Sequence, residues 1–390
     1  MHVFEELTSL LEFQLCILLF VAFVGFVIAW KIKQSVIIWE ILIGIVVGPS
    51  LLGLIMYTDV IRSFAQIGAV ILLFVIGLEF KIKDVFNIKY GIIALIGVIV
   101  PWGCGYALAV LYGFNFINCV FVGTALTATS VAITANVLKE LGKLQTTAAK
   151  AIIGAAVIDD ILGLLVLSFS IQVVSGTITA LPLALIIIKA VVFMVVGALI
   201  GHRYLSRLIE KLDSTKLTGK FPESLFILTM TIAFLYGFIA ESIGLSAIVG
   251  SFLAGVSLSG VIIKQGKSIK DGAEYIQIIF AAIFFVSLGI LADFHVLTMP
   301  IIWFLISLTL VACLTKIVGC YFGARVGRMN HKDSLTVGIG MMPRGEVAMI
   351  VALIGLNLGI IHQDLYISLI LMSLLTTVIV PVILRRYISR

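Results

Sequence analysis

Apolar runs about twenty residues long, separated by short polar stretches, recur from one end of this chain to the other. Thirteen are readable, at approximately 9–30, 35–57, 61–79, 90–112, 116–138, 149–174, 180–202, 223–243, 245–262, 273–292, 300–324, 333–358 and 364–384. A helix rises roughly 1.5 Å per residue, so about twenty apolar residues cross the hydrocarbon layer of a bilayer. The pattern predicts an all-α polytopic membrane protein of about thirteen transmembrane helices.

Polar residues inside those spans carry the functional information. Span 6 places Asp159 and Asp160 side by side near its middle. One acid at a helix centre costs at least ~2.5–3.5 kcal/mol to insert, and by default it marks an ion or proton pathway with a partner elsewhere. A structural ion pair between helices is the alternative, and two adjacent acids make it the weaker one. Lys316 lies at least eight residues from either end of span 11, too deep to snorkel, so it needs a counter-ion. One of the two aspartates can supply it. Adjacent helical residues project about 100° apart, which leaves the other free to face elsewhere. Lys189, in span 7, has no matched acid and reads as snorkelling or facing an interface. Glu79, in Gly77-Leu78-Glu79 at the end of span 3, is read as a further intramembrane acid.

Two spans are expected to break at midplane. Span 12 contains Pro343-Arg344-Gly345-Glu346, where Pro343 has no amide to donate and Gly345 permits an unwound backbone. Span 5 contains Thr127-Ala128-Thr129-Ser130, whose hydroxyls can satisfy freed backbone groups. Helix ends inside a membrane expose partial charges. Arg344 and Glu346 suit the task of offsetting them, and direct ion binding by either is the lesser reading. The 203–222 connection divides the chain, so spans 1–6 and 8–13 enter from opposite sides, the condition for an inverted repeat. Faint echoes agree: Phe74-Val75-Ile76-Gly77-Leu78-Glu79 with Phe285-Val286-Ser287-Leu288-Gly289-Ile290 and Asp293, and Ser130-Val131-Ala132-Ile133 with Glu346-Val347-Ala348-Met349. An aspartate facing the crossing of the broken helices would give a small hard cation a carboxylate with hydroxyl and carbonyl oxygens. The residues alone thus reach a secondary transporter for a small cation, coupled to protons through aspartate.

Composition excludes most else. Charged residues make up 12% of the 390, against about 25% in soluble domains, so little soluble mass is expected. The net charge of +6 reflects topology rather than nucleic acid: 22 of the 26 Lys and Arg lie on alternate loops, and only Arg62 sits on the other side. This predicts the N-terminus outside and the C-terminus inside. Five cysteines without paired spacing argue against disulfides or zinc. His2, His202, His295, His331 and His362 all lie at span ends or in loops, so neither an enzyme nor a cofactor is expected. The acidic start Glu5-Glu6 gives no sign of a cleaved signal peptide.

In order, Gly77-Leu78-Glu79, Thr127-Ala128-Thr129-Ser130, Asp159-Asp160, Lys316 and Pro343-Arg344-Gly345-Glu346 resemble the monovalent cation:proton antiporter-2 family over nearly the whole chain. The resemblance implies a cell-membrane antiporter exchanging Na⁺ or Li⁺ for H⁺ by alternating access, with two crossed discontinuous helices. It implies that Asp160 binds the ion and the proton, that Asp159 pairs with Lys316, and that Thr129, with Ser130 beside it, supplies oxygen at the break. It also implies a homodimer, in which a core of approximately 90–174 and 300–384 moves against a dimerisation scaffold of approximately 9–57 and 180–262. Gly44, Gly48, Gly53, Gly250 and Gly255 would permit close helix contact there. Electroneutral relatives carry Asn-Asp, so the acidic pair implies electrogenic exchange. Potassium-efflux relatives often add a soluble nucleotide-binding domain; the chain ends at Arg390 without a Gly-x-Gly-x-x-Gly after a strand, so none is expected. A K⁺/H⁺ antiporter or a K⁺ efflux system on the same scaffold is the competing reading, and an organic-anion symporter a more distant one.

Overall fold

A computed structural model of the chain describes residues 10–82, 87–176, 179–261, 269–292, 294–295 and 299–388. His2, Lys83, Lys264, Lys267, Asp293 and Arg390 lie outside the described residues, as do the side chains of Ile88, Glu346 and Asn357. In hydrocarbon a backbone must satisfy its own polar groups, and the described chain does so with helices and no strand. They are α1 (Leu11–Ile32), α2 (Val36–Val47), α3 (Asp59–Gly77), α4 (Ile88–Leu111), α5 (Phe116–Ala125), α6 (Val131–Glu140), α7 (Thr147–Ser175), α8 (Ala180–Ile200), α9 (Ser206–Asp213), α10 (Lys216–Lys220), α11 (Glu223–Ser242), α12 (Ala247–Leu258), α13 (Ile269–Ile290), α14 (Met299–Val326), α15 (His331–Gly340), α16 (Glu346–Asn357) and α17 (Gln363–Ile388). Each predicted apolar span contains described helix. Among the described residues nine helices are long and apolar enough to cross a membrane, and four shorter ones are apolar.

The 203–222 connection, read from sequence as a loop, is mostly helical. A π turn over Gly201–Leu205 carries α8 into α9, and α10 follows. Its basic residues alternate with Ile209, Leu212 and Thr218, which pack inward, so charge density hid a one-sided helical pattern.

Helices α1, α2, α3, α11, α12 and α13 pack on one another, as do α4–α7 and α14–α17. Glycines set the closeness within each group. Gly44 of α2 lies on the main chain of Val286 in α13, and Gly289 of α13 lies on that of Ile41 in α2. Gly77 of α3 and Gly255 of α12 make the same reciprocal contact. A Cβ at any of the four would meet a backbone carbonyl, which cannot move aside, so these glycines are packing surfaces. Gly48 and Gly250 also press on neighbouring main chain, as expected. Gly53 does not: it has open space and φ +58°, so it serves a left-handed turn after α2.

Both expected breaks are present. Residues 126–130 separate α5 from α6, and residues 341–345 separate α15 from α16. Pro101 and Pro381, by contrast, sit inside continuous helices. The two breaks touch. Ser130 N–H donates to Pro343 O at 2.8 Å, the Thr129 hydroxyl reaches Met341 O at 3.4 Å, and Gly345 has no room for a Cβ against Ser130.

Candidate ion-binding site

The site grows from the unwound ends of four half-helices. The C-terminal end of α5 exposes carbonyls, the negative pole of its dipole. Thr127 O accepts from Lys316 Nζ at 2.7 Å, and the next carbonyl, Ala128 O, accepts from Arg344 Nη1 at 2.8 Å. Two buried cations thus neutralise consecutive carbonyls of one break. Arg344 is anchored further by Nη2 donating to Ala312 O at 3.1 Å, while its Nε has no partner among the described residues. Compensation at the second break is different: Gly340 O accepts from the Thr134 hydroxyl at 2.6 Å, and Arg344 O from Thr377 at 2.9 Å. Arg344 thus touches both breaks, with its guanidinium on the first and its own carbonyl in the second. The Glu346 side chain lies outside the described residues.

Lys316 uses all three of its protons. Besides Thr127 O, it donates to Gly97 O at 2.9 Å and to Asp159 Oδ1 at 2.9 Å. Lys316 and Asp159 are both fully buried. Asp159 Oδ2 is buried without a partner among the described residues. The expected pair is present, but the ammonium is also a staple between α14, α4 and the first break.

Asp160 points elsewhere, into a crevice between the two helical groups. It faces Thr129, Ser130, Val131 and Ala132 at the start of α6, and Val347 at the start of α16. Those are the amide-rich, partly positive ends of both half-helices, a setting suited to a carboxylate. Across the crevice Leu73, Ile248, Val249, Phe252 and Phe284 present an apolar wall from the other group. Ser130 lines the same crevice as Asp160. Carboxylate and hydroxyl oxygens in an otherwise apolar crevice form a donor set for a hard cation rather than a soft one.

Glu79 has a different setting from the two aspartates. It lies in the turn past the end of α3, pairs with Lys270 at 3.0 Å, and keeps a partly exposed side chain. Lys189 is exposed on the outer face of α8, as expected. Sequence reasoning missed Glu40, an acid buried to 3% exposure in α2 against Gly25. The argument used for Asp159, an acid inside an apolar run, would have found it. It also missed Ser373, Thr376 and Thr377, because hydroxyls in an apolar span carry no charge signal.

With this geometry in place, comparison with known proteins is direct. A family profile described as "Sodium/hydrogen exchanger, transmembrane" matches residues 17–389. The chain belongs to the sodium/hydrogen exchanger family. It is 33% identical over 330 residues to the Na(+)/H(+)-K(+) antiporter GerN of Bacillus cereus, covering 84% of this chain and 83% of that protein. It is 34% identical over 336 residues to a Na(+)/H(+) antiporter of Enterococcus hirae, covering 84% and 85%. Its fold is similar to that of the sodium proton antiporter MjNhaP1 from Methanocaldococcus jannaschii, with a TM-score of 0.72 at 18% identity over 95% and 94% of the two chains. Members of the sodium/hydrogen exchanger family are transporters, so this chain is an antiporter and not an enzyme. The match is to the family as a whole and does not separate its branches.

Proposed function

We propose that this antiporter exchanges Na⁺, or Li⁺, for H⁺ electrogenically across the cell membrane, with thirteen crossings, the N-terminus outside and the C-terminus in the cytoplasm. The observation that carries the reading is Asp160 in a crevice between two helical groups, against the positive ends of both broken helices. In this mechanism the Asp160 carboxylate takes either a proton or a cation, and Thr129 and Ser130 offer it hydroxyl oxygens. The group α4–α7 with α14–α17 is the mobile core, and the stretches of approximately 9–57 and 180–262, which include α1, α2, α8, α11 and α12, form the scaffold of a homodimer. Movement of one against the other exposes Asp160 alternately to each side. An arriving cation is drawn to the unpartnered Oδ2 of Asp159 and competes with Lys316 for that carboxylate. The Lys316 proton then becomes a second coupled charge.

The two helical groups also meet at the rim placed in the cytoplasm. Lys139, in the last turn of α6, pairs with Glu274 of α13 at 3.0 Å and donates to Gln277 Oε1 at 2.9 Å. Gln145, after α6, donates to the main-chain oxygen of Glu79. A rim link of this kind favours the state closed to the cytoplasm. Lys139→Glu is expected to lower the apparent KM for cytoplasmic Na⁺ by roughly two- to five-fold, the range a partly exposed pair supports. The exchanged pair Lys139→Glu/Glu274→Lys should restore it. Uptake assays in oriented vesicles read both, and an unchanged KM in the single variant would show that the link does not bias the two states.

Purified protein in liposomes tests the main reading. Na⁺ and Li⁺ should dissipate a preset pH gradient, and the flux should saturate and reverse with the gradient. Dissipation by K⁺ alone would replace Na⁺ with K⁺ in the proposal, and a flux that neither saturates nor reverses would replace exchange with a channel.

A further inference from the structure

An unwound segment inside a membrane has to place its backbone groups somewhere. The second break does so on α17, where Ser373, Thr376 and Thr377 share one face at i, i+3 and i+4 and are all nearly or fully buried. Arg344 N–H donates to Thr376 Oγ1 at 3.1 Å, and Thr377 Oγ1 donates to Arg344 O at 2.9 Å. Both main-chain groups of Arg344 are therefore taken by adjacent residues of one neighbouring helix.

The ordinary account of a threonine in an apolar helix is back-bonding to its own preceding turn. Both threonines do reach Ser373 O, Thr376 at 2.8 Å and Thr377 at 2.9 Å. Back-bonding does not account for the contacts with Arg344. For Thr377 it competes with them, since one hydroxyl proton serves either Arg344 O or Ser373 O, and both lie at the same distance.

The opposite edge of the same segment holds the first break. Pro343 O takes the N–H of Ser130, and the Arg344 guanidinium takes Ala128 O. Thr129, between those two anchored residues, lines the Asp160 crevice together with Ser130. A continuous line of contacts thus runs from the α17 threonines through Arg344 and Pro343 to the oxygens beside Asp160.

We propose that Thr376 and Thr377 are positioning residues for the transported cation. By fixing the Arg344 peptide they set where Thr129 and Ser130 stand relative to Asp160, and so the affinity for Na⁺, without touching the ion. The proposal rests on the reading of Asp160, Thr129 and Ser130 as the cation site.

The test compares Thr376→Val and Thr377→Val, which keep the shape and remove the hydroxyl, with Thr376→Ser and Thr377→Ser, which keep it. Na⁺-driven proton movement in proteoliposomes gives KM and kcat for each. Each valine variant should raise the KM for Na⁺ roughly ten-fold, the effect of about one lost buried hydrogen bond, with a smaller change in kcat. The serine variants should stay within about two-fold of wild type. A wild-type KM in the valine variants, or serine variants that behave like valine, would overturn the positioning role, since packing alone would then explain the residues. Should Thr377→Val fail to fold, Thr376→Val leaves the Arg344 carbonyl served by Thr377 and decides the matter. Asp160→Asn measured alongside separates the two failures. Exchange surviving in that variant overturns the site, whereas a silent Asp160→Asn with normal KM in the valine variants overturns only the positioning.

Discussion

Asp160→Asn is expected to abolish cation-dependent proton movement while leaving the protein folded. The amide matches the carboxylate in shape but neither exchanges a proton near neutral pH nor offers a full negative charge to a cation. Asp160 is half-buried in a crevice that it shares with Thr129 and Ser130 and whose far wall is apolar. A neutral group there relieves burial of charge, so stability should hold or rise. The Lys316–Asp159 pair lies next door and remains intact in this variant, which makes the experiment specific. Liposome exchange should fall to the background of empty vesicles, with the variant eluting from size-exclusion as wild type does. Exchange at the wild-type rate would remove Asp160 from the mechanism.

Breaking the Lys316–Asp159 pair should carry the largest cost in stability. Removing one partner of a buried pair typically costs ~3–5 kcal/mol, because the other charge is stranded. The geometry makes the two sides unequal. Lys316→Ala strands Asp159 and also leaves Gly97 O and Thr127 O without their donor. Asp159→Asn leaves Lys316 with two carbonyls and an amide oxygen within reach. Thermal unfolding in detergent should therefore rank Lys316→Ala well below Asp159→Asn. The double variant should cost less than the two single costs added, as residues in direct contact require. Additive costs would mean that the pair contributes no coupling energy.

Function should respond differently from stability. Lys316→Gln keeps a donor for the two carbonyls and removes the second exchangeable charge. Such a variant should exchange ions without generating current on a solid-supported membrane. Equal current per cation in wild type and Lys316→Gln would reduce the pair to a staple, and exchange would then be coupled through Asp160 alone.

Much of this was legible in the amino-acid sequence, for a definite reason. In a bilayer, hydrophobicity per span and charge per position dominate the energy, and both are local properties of the sequence. They were enough to place the apolar spans, the two breaks and a pairing of Lys316 with one of the two aspartates. The Pro343-Arg344-Gly345 break was legible because proline and glycine act on the backbone where they stand. Family membership followed from the order of these motifs.

The tertiary structure decided what depends on distance between spans. Asp159 rather than Asp160 points at Lys316, a choice set by the rotation of α7 against α14, which 100° of helical phase leaves open. Consecutive carbonyls of the first break each receive a cation, while the second break is served by hydroxyls and by the Ser130 amide. Gly44 with Gly289, and Gly77 with Gly255, became reciprocal contacts only when the helices met, whereas Gly53 became a turn. Thr376 and Thr377 were invisible because a threonine in an apolar span costs little wherever it faces. Sequence fixes energies that each residue carries alone; distant partners are chosen by packing, as Arg344 with Thr377, 33 positions on, and Lys316 with Gly97, 219 positions away, illustrate.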